Sequence, residues 1–446
     1  MFTELPLFVT ERDHPTERVR CPVHGFIHYS VNEEAIVDSR VFQRLRNIRQ
    51  LALAHYVYPG AMHTRFEHSL GVMELATRAF DVLARKDAAL LQETFAQVPA
   101  FKEHALAKAR QLIRLLGLLH DIGHTAFSHA GECILPNGRH ERVSAWVIRQ
   151  GPLASLLAER FSFFPGLGDI LAQMIAEESF PPQLTVLKQI VSGQLDFDRT
   201  DYLLRDSLHC GVSYGNFDYL RLIESLAIVR RPAAGSLEIG IEPSGVHAFE
   251  GLILARYQMN TQVYYHRLRR IYDVMLERYL KAWGASNYEP EERALEHDDQ
   301  SLLEQMRQDA TADDSPERKR WAQRILRRNH PKLIYETSDH ADAEDLDRVK
   351  EIEKRLSEDF PGSEIILDAK AKGNVHKLFI RGEEEKVDDL FVVRGGKNQR
   401  RVTEQSKILE KVPKGFWVIR LYGYFGGDEQ CRRARERAGN LEKTLS

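Results

Sequence analysis

Cysteine is scarce in this 446-residue chain. Cys21, Cys133, Cys210 and Cys431 lie far apart with no CxxC spacing, which argues against a thiolate zinc site and points to a reducing compartment. An excess of one charge is also missing. Lys+Arg number 62 against 65 Asp+Glu, a formal net charge of −3, so no global basic surplus singles out nucleic acid as the main partner. No run approaches the ~20 apolar residues of a membrane helix. The opening "MFTELPLFVTERDHPTER" lacks a basic segment followed by an apolar one, so neither membrane nor secretory signal is expected. Internal repeats and low-complexity tracts are absent as well. With 43% hydrophobic and 28% charged residues, the chain reads as an ordinary globular, cytoplasmic protein.

The length suits one large domain and a smaller one, at about 100–200 residues per domain. Residues 20–30, "RCPVHGFIHYS", alternate around Gly25 and predict a short hairpin. From there to about residue 285 the pattern is helical. "FQRLRNIRQLALA", "SLGVMELATRAFDVLA" and "HALAKARQLIRLLGLL" repeat apolar residues at three- and four-residue steps. A strand pair around "AIVRRPAAGSLEIGIEPSG" interrupts the helices. Residues 286–332 turn strongly charged and predict exposed helices or a linker with acid–base i,i+4 pairs. Beyond them, "DAEDLDRVKEIEKRLSE" predicts a helix and "EIILDA", "DLFVVR" and "FWVIRLYGYF" predict strands. The tail "CRRARERAGNLEK" predicts a solvated helix. The expected fold is mainly α: a multi-helix bundle with small β-hairpins over 1–285, a charged helical linker over 286–332, and a smaller α+β domain over 333–446.

"LLHDIGHTAFSH", residues 118–129, ends an almost wholly apolar helix in His120 and Asp121, then adds His124 and His129. Burying a carboxylate there without a partner would cost several kcal/mol or shift its pKa. A metal ion is the simplest compensating charge. Adjacent helical residues diverge by about 100°, so both can face one ion only near a helix terminus, which Gly123 loosens. "HTRFEHSLGV" offers His68 at the start of another helix, and "QLDFDRTDYLLRDSLH" offers Asp198. The latter spacing predicts Asp198, Tyr202, Arg205 and Asp206 on one helical face. The candidate metal ligands are therefore His68, His120, Asp121 and Asp198, a mixed nitrogen–oxygen set suited to one Mn²⁺, Fe²⁺, Mg²⁺ or Zn²⁺ per subunit. A metal-free buried polar network is the plainer alternative. His124 and His129 as mere helix caps, and Arg65 as an ion-pair residue, are others.

In that order on helices, His68, the His120–Asp121 pair and Asp198 resemble the H…HD…D signature of HD-domain metal phosphohydrolases. "FQRLRNIRQL", "YPGAMHTRFEHSLGV", "LLHDIGHTAFSH" and "DRTDYLLRDSLHCGV" are similar to the dNTP triphosphohydrolase branch, over roughly residues 20–275. That branch includes dGTPase-like proteins and the mammalian SAM-and-HD-domain enzyme. The resemblance implies hydrolysis of a dNTP, with dGTP a candidate preference, to deoxynucleoside and triphosphate, Mn²⁺ or Mg²⁺ being favoured. It places His124, His129 and Arg65 around the α-phosphate, Arg199 on a phosphate oxygen and Arg256 on the distal phosphates. Glu132 would orient His129 as a general acid, and His140–Glu141 would stand behind the ligands. Tyr202 and Tyr264 would press on the sugar where a 2′-hydroxyl projects, Asp206 would accept from the 3′-hydroxyl, and Gln50 and Leu51 would line sugar and base.

The resemblance further implies a guanine-nucleotide activator at Asp38, Gln43 and Arg46, and a homo-oligomer, dimer or tetramer. A helix could carry Asp38 and Arg46, eight residues apart, on one face. His266 and Arg267 match the same nucleotide interface, whereas Glu242 and Ser244 stand where the family has basic residues. Two rivals remain open on the residues alone. One is an HD phosphodiesterase or nuclease acting on cyclic or single-stranded nucleic acid, with His124 and His140 as extra ligands. The other is a catalytically silent nucleotide sensor.

Overall fold

The computed structural model describes residues 7–135, 139–231, 235–284, 291–378, 389–394 and 398–445. Residues 232–234, within the expected strand pair, and 286–290, at the start of the charged stretch, lie outside the described residues. The chain is mainly α with small sheets and an α+β C-terminal region. Among the described residues no helix is long and apolar enough to cross a membrane. The strands, in chain order, are β1 (Pro15–Cys21), β2 (Gly25–Ser30), β3 (Leu226–Arg231), β4 (Ser236–Ile241), β5 (Lys332–Glu336), β6 (Glu364–Asn374), β7 (Phe391–Arg394), β8 (Asn398–Arg401) and β9 (Gly415–Tyr424).

Two compact units emerge. The first comprises Met1–Arg256, Ala285–Leu302 and Lys377–Val412; the second comprises Tyr257–Gly284, Leu303–His376 and Pro413–Ser446. At the centre of the first are the helices Arg65–Phe95 and Ala105–Leu119. Leu70, Met73, Thr77, Phe80 and Ala84 recur at helical spacing and are buried. Ala105–Leu119 is buried on nearly every side, its Lys108, Gln111 and Arg114 included. A Cβ on Gly117 would stand 2.9 Å from the Cα of Met73, so the bare glycine lets the two backbones close up. β1 and β2 pair antiparallel, with Cys21 opposite Gly25, whose φ of +79° makes the turn.

The strand pair β3–β4 does not stay a hairpin. Its sheet continues in the order β3-β4-β7-β8, with β7 parallel to β4. Residues 377–412, which the linear sequence places with the C-terminal domain, thus fold into the first unit. The physical reason is burial: Val393 of β7 packs on Ala227 and Val229 of β3.

In the second unit the antiparallel sheet β5-β9-β6 is covered by the helices Ala343–Asp359 and Asp428–Leu445. Val349, Ile352 and Leu356 face it from one helix, and Ala434, Ala438 and Leu441 from the other. The charged tail is therefore an amphipathic helix docked through small residues, not a solvated one. The charged stretch before the sheet also departs from expectation. Its helices Asp299–Asp309 and Pro316–Leu326 bury Leu302, Met306, Trp321, Ala322 and Ile325. Arg278, Arg320 and Arg324 lie 4.8–5.0 Å from the Trp321 ring, so cationic side chains cover it rather than water.

Candidate metal centre and active site

His68 lies in the first turn of Arg65–Phe95, where the Glu67 carboxylate accepts from the Thr64 N–H at 3.0 Å. Its Nδ1 donates to Asp201 Oδ2 at 2.7 Å, which leaves Nε2 facing Asp198 Oδ1 at 3.1 Å and Asp121 Oδ2 at 3.6 Å. Asp201 is fully buried. It also accepts from His24 Nε2 at 2.5 Å and from Arg205 at 2.7 and 2.9 Å. This orienting layer was invisible to sequence reasoning, and Arg205 belongs to it. The predicted common face of Asp198, Tyr202, Arg205 and Asp206 is corrected accordingly. On the helix Phe197–Cys210, Arg205 turns with Asp201 into the core and grips it at i,i+4.

His120 caps the C-terminus of Ala105–Leu119. Its Nδ1 donates to the Gly117 carbonyl at 2.8 Å, so Nε2 points to Asp121 Oδ1 at 3.4 Å and Asp198 Oδ1 at 3.7 Å. Gly123 lets the next turn pass close to another helix: a Cβ there would sit 2.6 Å from the His140 carbonyl. His124 Nε2 lies 3.3 Å from Asp121 Oδ1. Arg65 donates to Asp121 Oδ2 and, at 2.8 Å, to Ser128 Oγ.

Donor atoms of His68, His120 and Asp198 all lie within 4.8 Å of one another. The Nε2 atoms of His68, His120 and His124 are buried without a hydrogen-bond partner. Imidazole nitrogens beside carboxylate oxygens are the donor chemistry of first-row divalent cations, so the residues present fit such an ion. Electrostatics agrees. Burial opposes a charged His68, yet the carboxylates of Asp198 and Asp201 raise its pKa to about 10. Burial also works against ionised Asp121, but Arg65 and the neighbouring histidines hold it well below the usual carboxylate range. The cluster attracts positive charge.

A second group adjoins the first. Glu132 Oε1 accepts from His140 Nδ1 at 2.7 Å and from His129 Nδ1 at 2.9 Å, with His124 Nδ1 at 3.5 Å. The His124 and His140 rings stack at 3.6 Å. Despite burial, the bonds from His129 and His140 keep Glu132 ionised. Burial, with Arg65 and His140 nearby, depresses His124 well below 6.5, so its imidazole stays neutral. His129 is the exposed member, its side chain 69% accessible.

Gln50, Arg65, His129, Asp198 and Tyr202 line one pocket of about 230 Å³ beside these clusters. Leu51 is buried. Asp206 accepts from His63 Nε2 at 2.6 Å, so His63 is an orienting residue that no linear motif singles out. Arg199 pairs with Asp196 at 2.9 Å and donates to the Gly193 carbonyl. Burial raises Tyr202 to about 12, keeping its hydroxyl protonated. Arg256 is lowered by burial and interacts with Tyr202 and Arg199. Tyr264 belongs to the second unit, on the π-helical turn Asn260–Tyr264.

Asp38, Gln43 and Arg46 do not share one helix. The helix Val31–Val37 ends at Asp38, and Ser39 Oγ accepts from the Phe42 N–H to start a new one. Gln43 donates to the Val37 carbonyl at 2.8 Å and accepts from Arg46 Nε at 2.7 Å. The Arg46 guanidinium stacks 3.6 Å over Phe66, while Asp38 is exposed. Glu242 pairs with Lys86 at 2.7 Å, and the carbonyl of Ser244 accepts from Arg221. His266 accepts from the Leu268 N–H and caps the helix Arg267–Trp283.

Residues 65–206 match the HD domain, and residues 217–413 match the HD associated region. An uncharacterized protein of Bacillus subtilis is 36% identical over 262 residues, 58% of this chain and 54% of the relative. Human deoxynucleoside triphosphate triphosphohydrolase SAMHD1 is 29% identical over 293 residues, 58% of this chain and 43% of its own. The chain spans about half the length of the curated relatives it matches. A crystal structure of a hypothetical protein from Aquifex aeolicus aligns with a TM-score of 0.73 at 28% identity, covering 94% of this chain and 99% of the other.

Proposed function

We propose that this HD-domain protein, a metal-dependent phosphohydrolase by its domain and donor set, hydrolyses deoxynucleoside triphosphates to deoxynucleoside and inorganic triphosphate. The observation that carries the reading is the convergence of partnerless imidazole nitrogens from His68 and His120 on Asp198, with Asp121 alongside. A divalent ion held by those four residues supplies Lewis acidity toward a phosphoryl oxygen and lowers the pKa of water.

The chain's own groups do the rest. Asp201 fixes the His68 tautomer, as the Gly117 carbonyl fixes that of His120. Arg65 is held on Asp121 and Ser128 at the pocket wall, where its guanidinium can also meet the α-phosphate. His129 is accessible, its Nδ1 is anchored on Glu132, and its Nε2 can deliver a proton to the departing 5′-oxygen. Tyr202 lines the pocket, and a 2′-hydroxyl pressed on its aromatic carbon would have no hydrogen-bond partner, which favours deoxyribose. Asp206, braced by His63, accepts from the 3′-hydroxyl. Gln50 and Leu51 take the sugar and base, and Arg199 and Arg256 the phosphates. A guanine nucleotide at Asp38, Gln43 and Arg46 would activate a homo-oligomer.

A second reading rests on the cluster His124, His129, Glu132 and His140, whose donor atoms also lie within 4.8 Å of one another. With a second cation there, the protein would be an HD phosphodiesterase on cyclic or single-stranded nucleic acid. Each dNTP, NTP and cyclic dinucleotide incubated with Mn²⁺ or Mg²⁺, with chromatography resolving triphosphate from pyrophosphate, separates the two. Triphosphate from dNTPs supports the first reading; cleavage of cyclic dinucleotides alone replaces it.

A further inference from the structure

Lys188 is a basic residue at the pocket that neither the metal centre nor the proton donor uses. It belongs to the helix Thr185–Val191, whose Val186, Leu187, Ile190 and Val191 are buried. Their spacing explains the helix, and Lys188 is half-buried within it. Its side chain lines the same pocket as Arg65, His129, Asp198 and Tyr202. Among the described residues its ammonium makes no hydrogen bond and no ion pair. Arg65, the other cation on that wall, is committed to Asp121 and Ser128. Arg199 is committed to Asp196 and the Gly193 carbonyl.

A cation that lines a pocket without a protein partner is available to pair with an anionic ligand there. Burial does lower the Lys188 pKa, and the more distant carboxylates of Glu177, Asp196, Glu141 and Asp198 only partly offset this. Of these, Glu177, Glu141 and Asp198 line the same pocket, so a further cation there offsets their repulsion of a bound anion. A compact three-donor ammonium matches a phosphate oxygen as a point charge.

We propose that Lys188 is a substrate-binding residue that takes a phosphate beyond the α-phosphate and thereby makes the pocket selective for nucleoside polyphosphates. The assignment rests on the phosphohydrolase reading above but has its own readout. The probe is inorganic tripolyphosphate, titrated calorimetrically into the Mn²⁺-loaded full chain, together with dNTP and dNDP kinetics. Lys188→Met keeps the length and apolar stem of the side chain and removes the charge.

Lys188→Met should weaken tripolyphosphate binding and raise KM for dNTP by at least tenfold, with kcat and bound metal within about twofold of wild type. Lys188→Arg should recover most of both, and orthophosphate should bind equally weakly to all three proteins. If wild type binds tripolyphosphate through Lys188 but leaves dNTPs intact, the lysine assignment stands and the reaction reading falls. If Lys188→Met keeps wild-type KM and tripolyphosphate affinity, or loses only kcat, the lysine assignment is overturned whatever the substrate proves to be. The same holds if wild type binds no tripolyphosphate.

Discussion

Asp299 is a buried carboxylate held by two backbone donors. It opens the helix Asp299–Asp309 and is 2% exposed. Oδ1 accepts from the Phe127 N–H at 2.6 Å and Oδ2 from the Arg49 N–H at 3.1 Å. Phe127 and Ser128 both have left-handed backbones, φ 61° and 54°, which cost a non-glycine residue free energy unless surroundings hold them. Ser128 Oγ donates to the Arg49 carbonyl at 2.6 Å and accepts from Arg65. One carboxylate thus braces the segment before His129 and the residue before Gln50.

Burial pushes the Asp299 pKa up to about 6, although the two N–H donors and the Arg49 charge pull it down. Protons bind the folded state more tightly, so this group's stabilisation is full below the ordinary value of 3.8 and is lost as pH rises through 6. At 1.36 kcal/mol per unit the whole span is about 3 kcal/mol, of which about 1 kcal/mol survives at pH 5 and almost none at pH 7.5. Asp299→Asn has no such term, and its amide nitrogen leaves one backbone N–H unsatisfied at every pH, a loss of about 1–3 kcal/mol. Urea unfolding of both proteins at pH 5 and pH 7.5 should therefore show the variant less stable at both, with a gap about 1 kcal/mol wider at pH 5. Comparing variants cancels the titration of the histidines. A gap that is constant, or wider at pH 7.5, would refute the burial argument.

Asp201→Asn should weaken Mn²⁺ binding about 10–100-fold, because the His68 tautomer loses its anchor; unchanged metal content after dialysis would show that Asp201 serves only packing. Tyr202→Ala should narrow the dGTP-over-GTP ratio of kcat/KM about tenfold, since an unpaired hydroxyl in an apolar pocket costs about 1–3 kcal/mol. An unaltered ratio places sugar selection elsewhere. GTP should raise dATP hydrolysis about 5–150-fold, the range of a coupling free energy of 1–3 kcal/mol, and should increase the sedimenting mass. Asp38→Ala should abolish both effects, and a wild type indifferent to GTP removes the regulatory site.

The parts legible in the sequence share a physical feature: they conflict with their local surroundings. His120 and Asp121 stand out because the helix before them is apolar, and Asp198 because it falls at helical spacing with Tyr202 and Asp206. Asp201 and His24 lie 177 residues apart and meet only in three dimensions, and each alone reads as a surface polar residue. His63 is hidden in the same way behind Asp206, 143 residues away. Asp299 sits in "EHDDQSLLEQ", where its neighbours make any acid look solvated. Lys188 occupies a helix position that composition assigns to solvent. Strands β4 and β7 were both legible as strands, but their pairing was not, since four apolar-rich residues specify burial without specifying which edge.

The central claim concerns which bond breaks. The metal-loaded full chain should be incubated with dGTP in ¹⁸O-labelled water and the products separated for mass spectrometry. Attack at the α-phosphorus predicts one heavy oxygen in inorganic triphosphate and none in deoxyguanosine, with the signal absent from His68→Ala. Label in the nucleoside, or release of orthophosphate or a nucleotide instead of triphosphate, would contradict it.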